Sequence, residues 1–93
     1  MNLEKIITEK INKNLLPDFF KVINFSDKHK NHYLEDDNDT SHIKLIIVSK
    51  RFDRLSKIDR ERLVHKLLSK EISKNIHSIR LKLYTLEEYQ SIK

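Results

Sequence analysis

The central part of the chain carries a helix-like segment between two strand-like segments, and this order restricts the folds available to it. Residues 42–49 form a nearly continuous apolar, β-branched run, which predicts a buried strand. Apolar residues at helical spacing, beginning with Ile58, predict a helix over 57–73 with Ser56 as its N-cap. Alternation over 76–84 predicts a strand with one buried face. Two strands joined through a helix pair in parallel, with a right-handed crossover.

The flanking segments complete the predicted fold. An amphipathic pattern over 3–15 predicts a first helix, which Pro17 ends while biasing Leu16 toward extended backbone. Aromatic and β-branched residues predict a strand over 18–25, antiparallel to the next strand. A Thr-x-x-Glu capping box that begins at Thr85 predicts a final helix. The side chains expected to face inward from that helix are Leu86, Tyr89 and Ile92.

The fold class that follows is α+β, with one domain over residues 1–93 in the order α-β-β-α-β-α. We expect a three-stranded mixed sheet with helices packed on one face. The polar segment 26–41 has no periodicity and predicts a mobile loop. No apolar run resembles a signal peptide or a membrane span, so we expect a soluble, cytoplasmic protein with no membrane partner.

The composition limits the chemistry of the chain. It has no cysteine, which excludes disulfides and thiolates, so metal ligands can come only from His, Asp or Glu. It has no glycine, which excludes glycine-rich phosphate loops and leads us to expect Asn or Asp wherever a turn needs positive φ. Ser56 lacks a Ser–His–Asp context, and the acidic stretch 35–39 lacks an EF-hand pattern. We therefore expect that the protein is not an enzyme.

Short motifs follow one another in a characteristic order from Leu3 to Tyr89. They are Pro17-x-Phe-Phe-Lys-Val, Ser26-x-x-His29, Ser41-His42-Ile43-Lys44-Leu45, Phe52-x-x-x-Ser56, Arg60-x-Arg62-Leu63-Val64, Ile76-His77-Ser78 and Tyr84-Thr85-x-Glu87-Glu88-Tyr89. In this order and spacing they resemble the BolA family. The family usually has Gly at the Arg54 position, His at the Glu61 position and Trp near Tyr89.

The resemblance implies a KH-like domain that acts, without catalysis, as the partner of a monothiol glutaredoxin. The two proteins would bridge a [2Fe–2S] cluster, with glutathione supplied alongside the glutaredoxin, for iron regulation or delivery to recipient proteins. His77 and His29 match the positions of the family's ligands, and His32 is the reserve candidate. We expect His42 to support the sheet and His65 to lie on the surface.

The chemistry of such a cluster agrees with a chain that lacks cysteine. A [2Fe–2S] cluster needs four thiolate or imidazole ligands, and this chain can offer only imidazole. The thiolates would come from the glutaredoxin and its glutathione, so we expect no cluster on the isolated chain. Because imidazole must be unprotonated to bind a metal, we also expect cluster binding to depend on pH.

The resemblance also leaves a second function open, that of a nucleic-acid-binding transcriptional regulator of stress response and cell morphology. The chain has 19 Lys and Arg against 14 Asp and Glu, a net charge of +5. This excess permits phosphate binding, but it equally suits a solvated surface or an acidic protein partner. The candidate nucleic-acid contacts are Arg51, Arg54, Arg60, Arg62 and Lys66.

Overall fold

The computed structural model describes residues 3–24 and 41–92, which form four α-helices and three strands. In chain order these are α1 (Leu3–Leu15), β1 (Phe19–Asn24), β2 (Ser41–Val48), α2 (Lys57–Leu67), α3 (Ser69–Asn75), β3 (Ile76–Tyr84) and α4 (Leu86–Ile92). A 3₁₀ turn, Lys50–Phe52, links β2 to α2. The predicted loop 26–41 lies outside the described residues except for Ser41, which begins β2. None of the described helices has the length and apolar character needed to cross a membrane.

The three strands form one sheet in the order β1-β2-β3. Strand β1 is antiparallel to β2, and β2 is parallel to β3, as the sequence predicts. In this register Val22, Leu45 and Leu81 lie side by side across the sheet. The mixed pairing confirms the predicted α+β class.

The core lies between one face of the sheet and helices α1 to α3. Helix α1 presents Ile7, Ile11 and Leu15 to it, at the four-residue spacing of one helical face. Fully burying side chains of this size contributes roughly 1.5–3 kcal/mol each. The other core side chains with at most 2% exposure are Ile43, Leu45, Ile47, Phe52, Val64 and Leu68.

Helix α4 packs at the end of the sheet. Its Tyr89 stacks on Phe19, with ring centroids 5.4 Å apart, and is tilted against Tyr84 at 5.8 Å. Phe19 and Tyr84 both pair with Val48, and these three side chains alternate with those of the core face. Tyr89 therefore covers one end of the opposite face, whereas α1 to α3 share the core face. The expectation that Ile92 faces inward is wrong, because this residue is 59% exposed.

The helix predicted over 57–73 is divided in two. Leu68, which is fully buried, has φ −106° and ψ 19° and separates α2 from α3. Its backbone N–H still donates to Val64 O at 3.0 Å, so the chain changes direction without leaving a buried amide unpaired. Ile58, where the apolar pattern of the predicted helix begins, is 56% exposed, because the buried face of α2 begins at Arg60.

Two residues in the described part of the chain adopt positive φ, and neither is Asn or Asp. Leu16 has φ 44° and Arg54 has φ 69°, so both the expectation of Asn or Asp and that of an extended Leu16 are wrong. At Leu16 the left-handed backbone ends α1, and the Ser49 hydroxyl donates to Leu15 O at 2.6 Å. Left-handed backbone costs a residue other than glycine roughly 1–2 kcal/mol, so tertiary contacts hold both turns.

Candidate functional site

His77 is the second residue of β3 and lies where the pairing with β2 is irregular. Ser41 pairs with Ile76 and His42 pairs with Ser78, so no residue of β2 lies opposite His77. An extra residue of this kind redirects side chains and is common near functional sites. Ile76 belongs to the core, although alternation along β3 would place it on the other face. The alternation of side chains along β3 therefore does not determine on which face of the sheet His77 lies.

The two ends of the segment that carries the other ligand candidates lie at the same end of the sheet as His77. The segment connects Asn24, the last residue of β1, to Ser41, the first residue of β2. His29 and His32 themselves lie outside the described residues. Because its two ends lie there, the segment that carries both histidines leaves and rejoins the sheet at the end that bears His77.

Residues 3–24 and 41–92 contain no group of three or more His, Cys, Asp or Glu side chains arranged to hold a metal ion. His42 is half-buried within β2, and His65 is exposed on α2, as expected. The metal donors that this chain can supply are imidazoles and carboxylates, without any thiolate. An iron–sulfur cluster is held by thiolate or imidazole, so this chain could offer such a cluster only imidazole.

Four of the predicted nucleic-acid contacts are exposed on the surface. Arg51 and Arg54 are exposed in the turn between β2 and α2, and Arg62 and Lys66 are exposed along α2. Ser49 shapes the start of the turn, since its hydroxyl accepts from the Arg51 backbone N–H at 3.0 Å. Arg62 forms a long contact of 3.6 Å with an aspartate of its own helix, and its side chain stays 75% exposed.

The fifth predicted contact, Arg60, is buried and fully engaged within the fold. Its Nε donates to Leu55 O at 3.1 Å, and its Nη1 donates to Leu83 O at 3.1 Å. The two Nη atoms also donate to the two carboxylate oxygens of Glu88, at 2.7 and 3.0 Å. The guanidinium lies 5.9 Å from the centroid of the Phe52 ring. At 5% exposure Arg60 offers no surface to a phosphate, so we remove it from the nucleic-acid set.

Glu88 connects this arginine to the start of α4. Its carboxylate accepts from the Thr85 backbone N–H at 3.0 Å, and the Thr85 hydroxyl accepts from the Glu88 N–H at 3.2 Å. The predicted capping box is thus confirmed. The hydrogen bonds from Arg60, followed by that from Thr85, lower the pKa of Glu88 from 4.5 to about 2. The same bond to Glu88 raises the pKa of Arg60.

The structural role of Arg60 was missed from the sequence, although a signal for it exists. Arg60 precedes Val64 by four residues, so the two share the buried face of one helix. A basic residue at such a position needs an acceptor, and Glu88 in the predicted capping box is one. The pairing joins α2, β3 and the start of α4.

Comparison with known proteins gives one consistent result. The profile of the BolA-like protein family matches residues 11–88. The chain is 34% identical over 90 residues to the DNA-binding transcriptional regulator BolA of Vibrio cholerae, covering 97% of this chain and 81% of the relative. The solved structure of BolA1 from Arabidopsis thaliana aligns with a TM-score of 0.83 at 30% identity, covering 95% of this chain and 96% of that one.

A second solved structure shares this fold in another context. The BolA domain of SufE1 from Arabidopsis thaliana aligns with a TM-score of 0.76 at 33% identity, covering 90% of this chain and 92% of that one. The profile match spans most of the chain, and the relatives agree with it in sequence and in fold. The resemblance seen in the motifs is therefore confirmed, and the chain belongs to the BolA family.

Proposed function

We propose that this chain is a non-enzymatic, cytoplasmic partner of a monothiol glutaredoxin and shares a bridging [2Fe–2S] cluster with it. His77 is the first ligand, and His29, with His32 in reserve, is the second. The observation that carries the proposal is topological. His77 lies at an irregularity of the sheet, at the end where the segment bearing the other two histidines leaves β1 and enters β2.

The ligand chemistry supports a site divided between two proteins. This chain would contribute imidazole, while the glutaredoxin cysteine and glutathione would contribute thiolate. Replacing thiolate by neutral imidazole lowers the negative charge around the cluster and raises its reduction potential. Unperturbed imidazole titrates near pH 6.5, so we expect the shared cluster to become labile as the pH falls below about 6.

An anaerobic reconstitution tests the proposal. The chain is mixed with a monothiol glutaredoxin, glutathione, iron and sulfide, and visible circular dichroism and native mass are recorded. We expect a 1:1 complex whose spectrum differs from that of the glutaredoxin homodimer. His77→Ala should abolish that spectrum, and whichever of His29→Ala or His32→Ala alters it identifies the second ligand.

His65→Ala provides the matched control, because His65 is exposed on α2 and is not a ligand candidate. Its complex should match that of the unaltered chain in spectrum and lability. An unchanged holo-complex with His77→Ala would remove His77 as a ligand. A mixture with the spectrum of glutaredoxin alone would refute the shared cluster itself.

A second candidate function is nucleic-acid binding by the exposed basic turn and α2. The Vibrio cholerae relative is called a DNA-binding transcriptional regulator, and Arg51, Arg54, Arg62 and Lys66 are all exposed here. Binding of a labelled DNA duplex, followed by fluorescence anisotropy, should weaken as salt is raised. The slope of log K against log salt changes by about 0.9 for each phosphate that the protein no longer neutralises. The fourfold Ala variant should therefore show both weaker binding and a shallower slope, and binding that is independent of salt would contradict this function.

A further inference from the structure

The sheet face opposite to the core carries basic side chains and, among the described residues, no acidic one. We call it the outer face. Apart from the row at α4, formed by Phe19, Val48 and Tyr84, it is not covered by a described helix. Its other described members are Lys21, Ile23, His42, Lys44, Ile46, Ser78, Arg80 and Lys82.

Cations and isoleucines are interspersed across this face, and the cations Lys44 and Arg80 pair directly on adjacent strands. Neighbouring positions on adjacent strands are about 4.8 Å apart, so each isoleucine touches a region flanked by positive charge. Two adjacent rows of the register show the pattern: Lys21, Ile46 and Lys82 form one, and Ile23, Lys44 and Arg80 form the next. Both isoleucines are half-buried, so they add apolar surface between the charges.

The four cations of the outer face have no hydrogen bond or ion pair within the part of the chain that the structure describes. Lys21, Arg80 and Lys82 are exposed, and Lys44 is half-buried. Like charges on adjacent strands are destabilising. An anionic ligand bound to the outer face would reduce that repulsion. The charge pattern therefore favours the binding of an anionic partner there.

The side chains around the cations indicate which anionic partner fits. The aromatic rings on this face, Phe19 and Tyr84, are already in contact with Tyr89, so they provide no free platform for stacking nucleic-acid bases. The isoleucines need an apolar complement, which a phosphate backbone lacks. We propose that the outer face binds an acidic amphipathic segment of a protein partner, in which carboxylates and aliphatic side chains share one face.

A peptide-binding experiment tests this proposal on the full chain. The probe is a labelled helical peptide of about 18 residues with Glu and Leu on one face. A matched peptide has Gln in place of each Leu, and a single-stranded oligo-dT supplies a nucleic-acid probe. The outer-face variant combines Lys21→Gln, Arg80→Gln and Lys82→Gln. The control variant combines Lys13→Gln, Lys70→Gln and Lys74→Gln, which removes the same charge from exposed positions on α1 and α3.

We expect the Glu–Leu peptide to bind the unaltered chain and the control variant alike, and to bind the outer-face variant at least about tenfold more weakly. The peptide without Leu should bind more weakly than the Glu–Leu peptide. Urea denaturation of both variants verifies that they fold. The charge reversal Lys82→Glu provides a second readout, since this one substitution should by itself weaken binding of the Glu–Leu peptide.

Three results would overturn the proposal. One is the absence of peptide binding to the unaltered chain. Another is an equal loss of binding in the two triple variants, which would show a response to net charge alone. The last is loss of oligo-dT binding in the outer-face variant while peptide binding stays unchanged, which would make the outer face a nucleic-acid surface. His77→Ala should leave peptide binding intact, so this proposal and the shared cluster can fail separately.

Discussion

Replacing Arg60 should destabilise the protein far more than replacing Arg62, although the two residues are on the same helix. Arg60→Ala removes four hydrogen bonds that join α2 to the backbone of Leu55 and Leu83 and to Glu88. Arg62→Ala removes one contact of 3.6 Å from a side chain that is 75% exposed. Both variants lose one positive charge, so their difference reports on burial and hydrogen bonding.

The expected loss of stability for Arg60→Ala can be worked out from its partners. The bond to Leu83 O is buried, and leaving a buried acceptor unpaired costs about 1–3 kcal/mol. The Glu88 side chain is 44% exposed, so water replaces the arginine there and the ion pair accounts for about 1 kcal/mol. Adding the weaker packing near Phe52, we expect the free energy of unfolding to fall by about 3 kcal/mol. An exposed ion pair such as that of Arg62 contributes at most about 1 kcal/mol.

Urea and thermal denaturation, both followed by circular dichroism, measure these changes. For a domain of this size each kcal/mol shifts Tm by roughly 4–8 °C, so Arg60→Ala should lower Tm by more than about 10 °C. Arg60→Lys should fall between the two Ala variants, since lysine keeps the charge and cannot donate to all four acceptors. A loss below about 1 kcal/mol, or one equal to that of Arg62→Ala, would refute the structural role assigned to Arg60.

Three further predictions concern acid, a turn and a helix contact. Because the pKa of Glu88 is lowered to about 2, ionised Glu88 stabilises the fold above about pH 4.5, and this contribution is lost between pH 4.5 and 2. Urea titrations should therefore show that the free energy of unfolding falls less over this range in Glu88→Gln than in the unaltered chain. Arg54→Gly should raise stability by about 0.5–1 kcal/mol, since it relieves a positive φ of 69°, and a lower Tm would contradict this. Lys10→Ala should lower the free energy of unfolding by about 1–2 kcal/mol, because it leaves the Glu71 carboxylate, whose side chain is 11% exposed, without its partner at 3.0 Å. The double variant with Glu71→Ala should recover part of this loss in the same assay.

The sequence predicted the elements that depend on local pattern. The strands, their pairing, the first helix and the caps at Ser56 and Thr85 are all present. These features follow from periodicity and from side chains that bond to their own neighbouring backbone. Periodicity and local bonding are readable without knowledge of the tertiary fold.

The features that the sequence did not predict depend on interactions between distant segments. No Gly or Pro marks the break at Leu68, where core packing, rather than propensity, ends α2. Arg54 takes a left-handed backbone because the turn between β2 and α2 requires it there. Arg60 was assigned to a basic surface because its acceptors, Leu83 O and Glu88, are more than twenty residues away. Among the site candidates, the placement of His77 beside the ends of one segment became visible only with the register of the sheet.

The register also separates the two candidate functions in space. Strands β2 and β3 are parallel, so His77 lies at the start of both strands, whereas the turn that carries Arg51 and Arg54 follows the end of β2. The eight residues of β2 span about 25 Å between these ends. A partner at His77 and an anionic ligand at the turn therefore need not compete for the same surface. His77→Ala should impair cluster sharing without changing nucleic-acid affinity, and the basic variants should do the reverse. A variant of either kind that lost both activities would show that the two surfaces are coupled through the sheet.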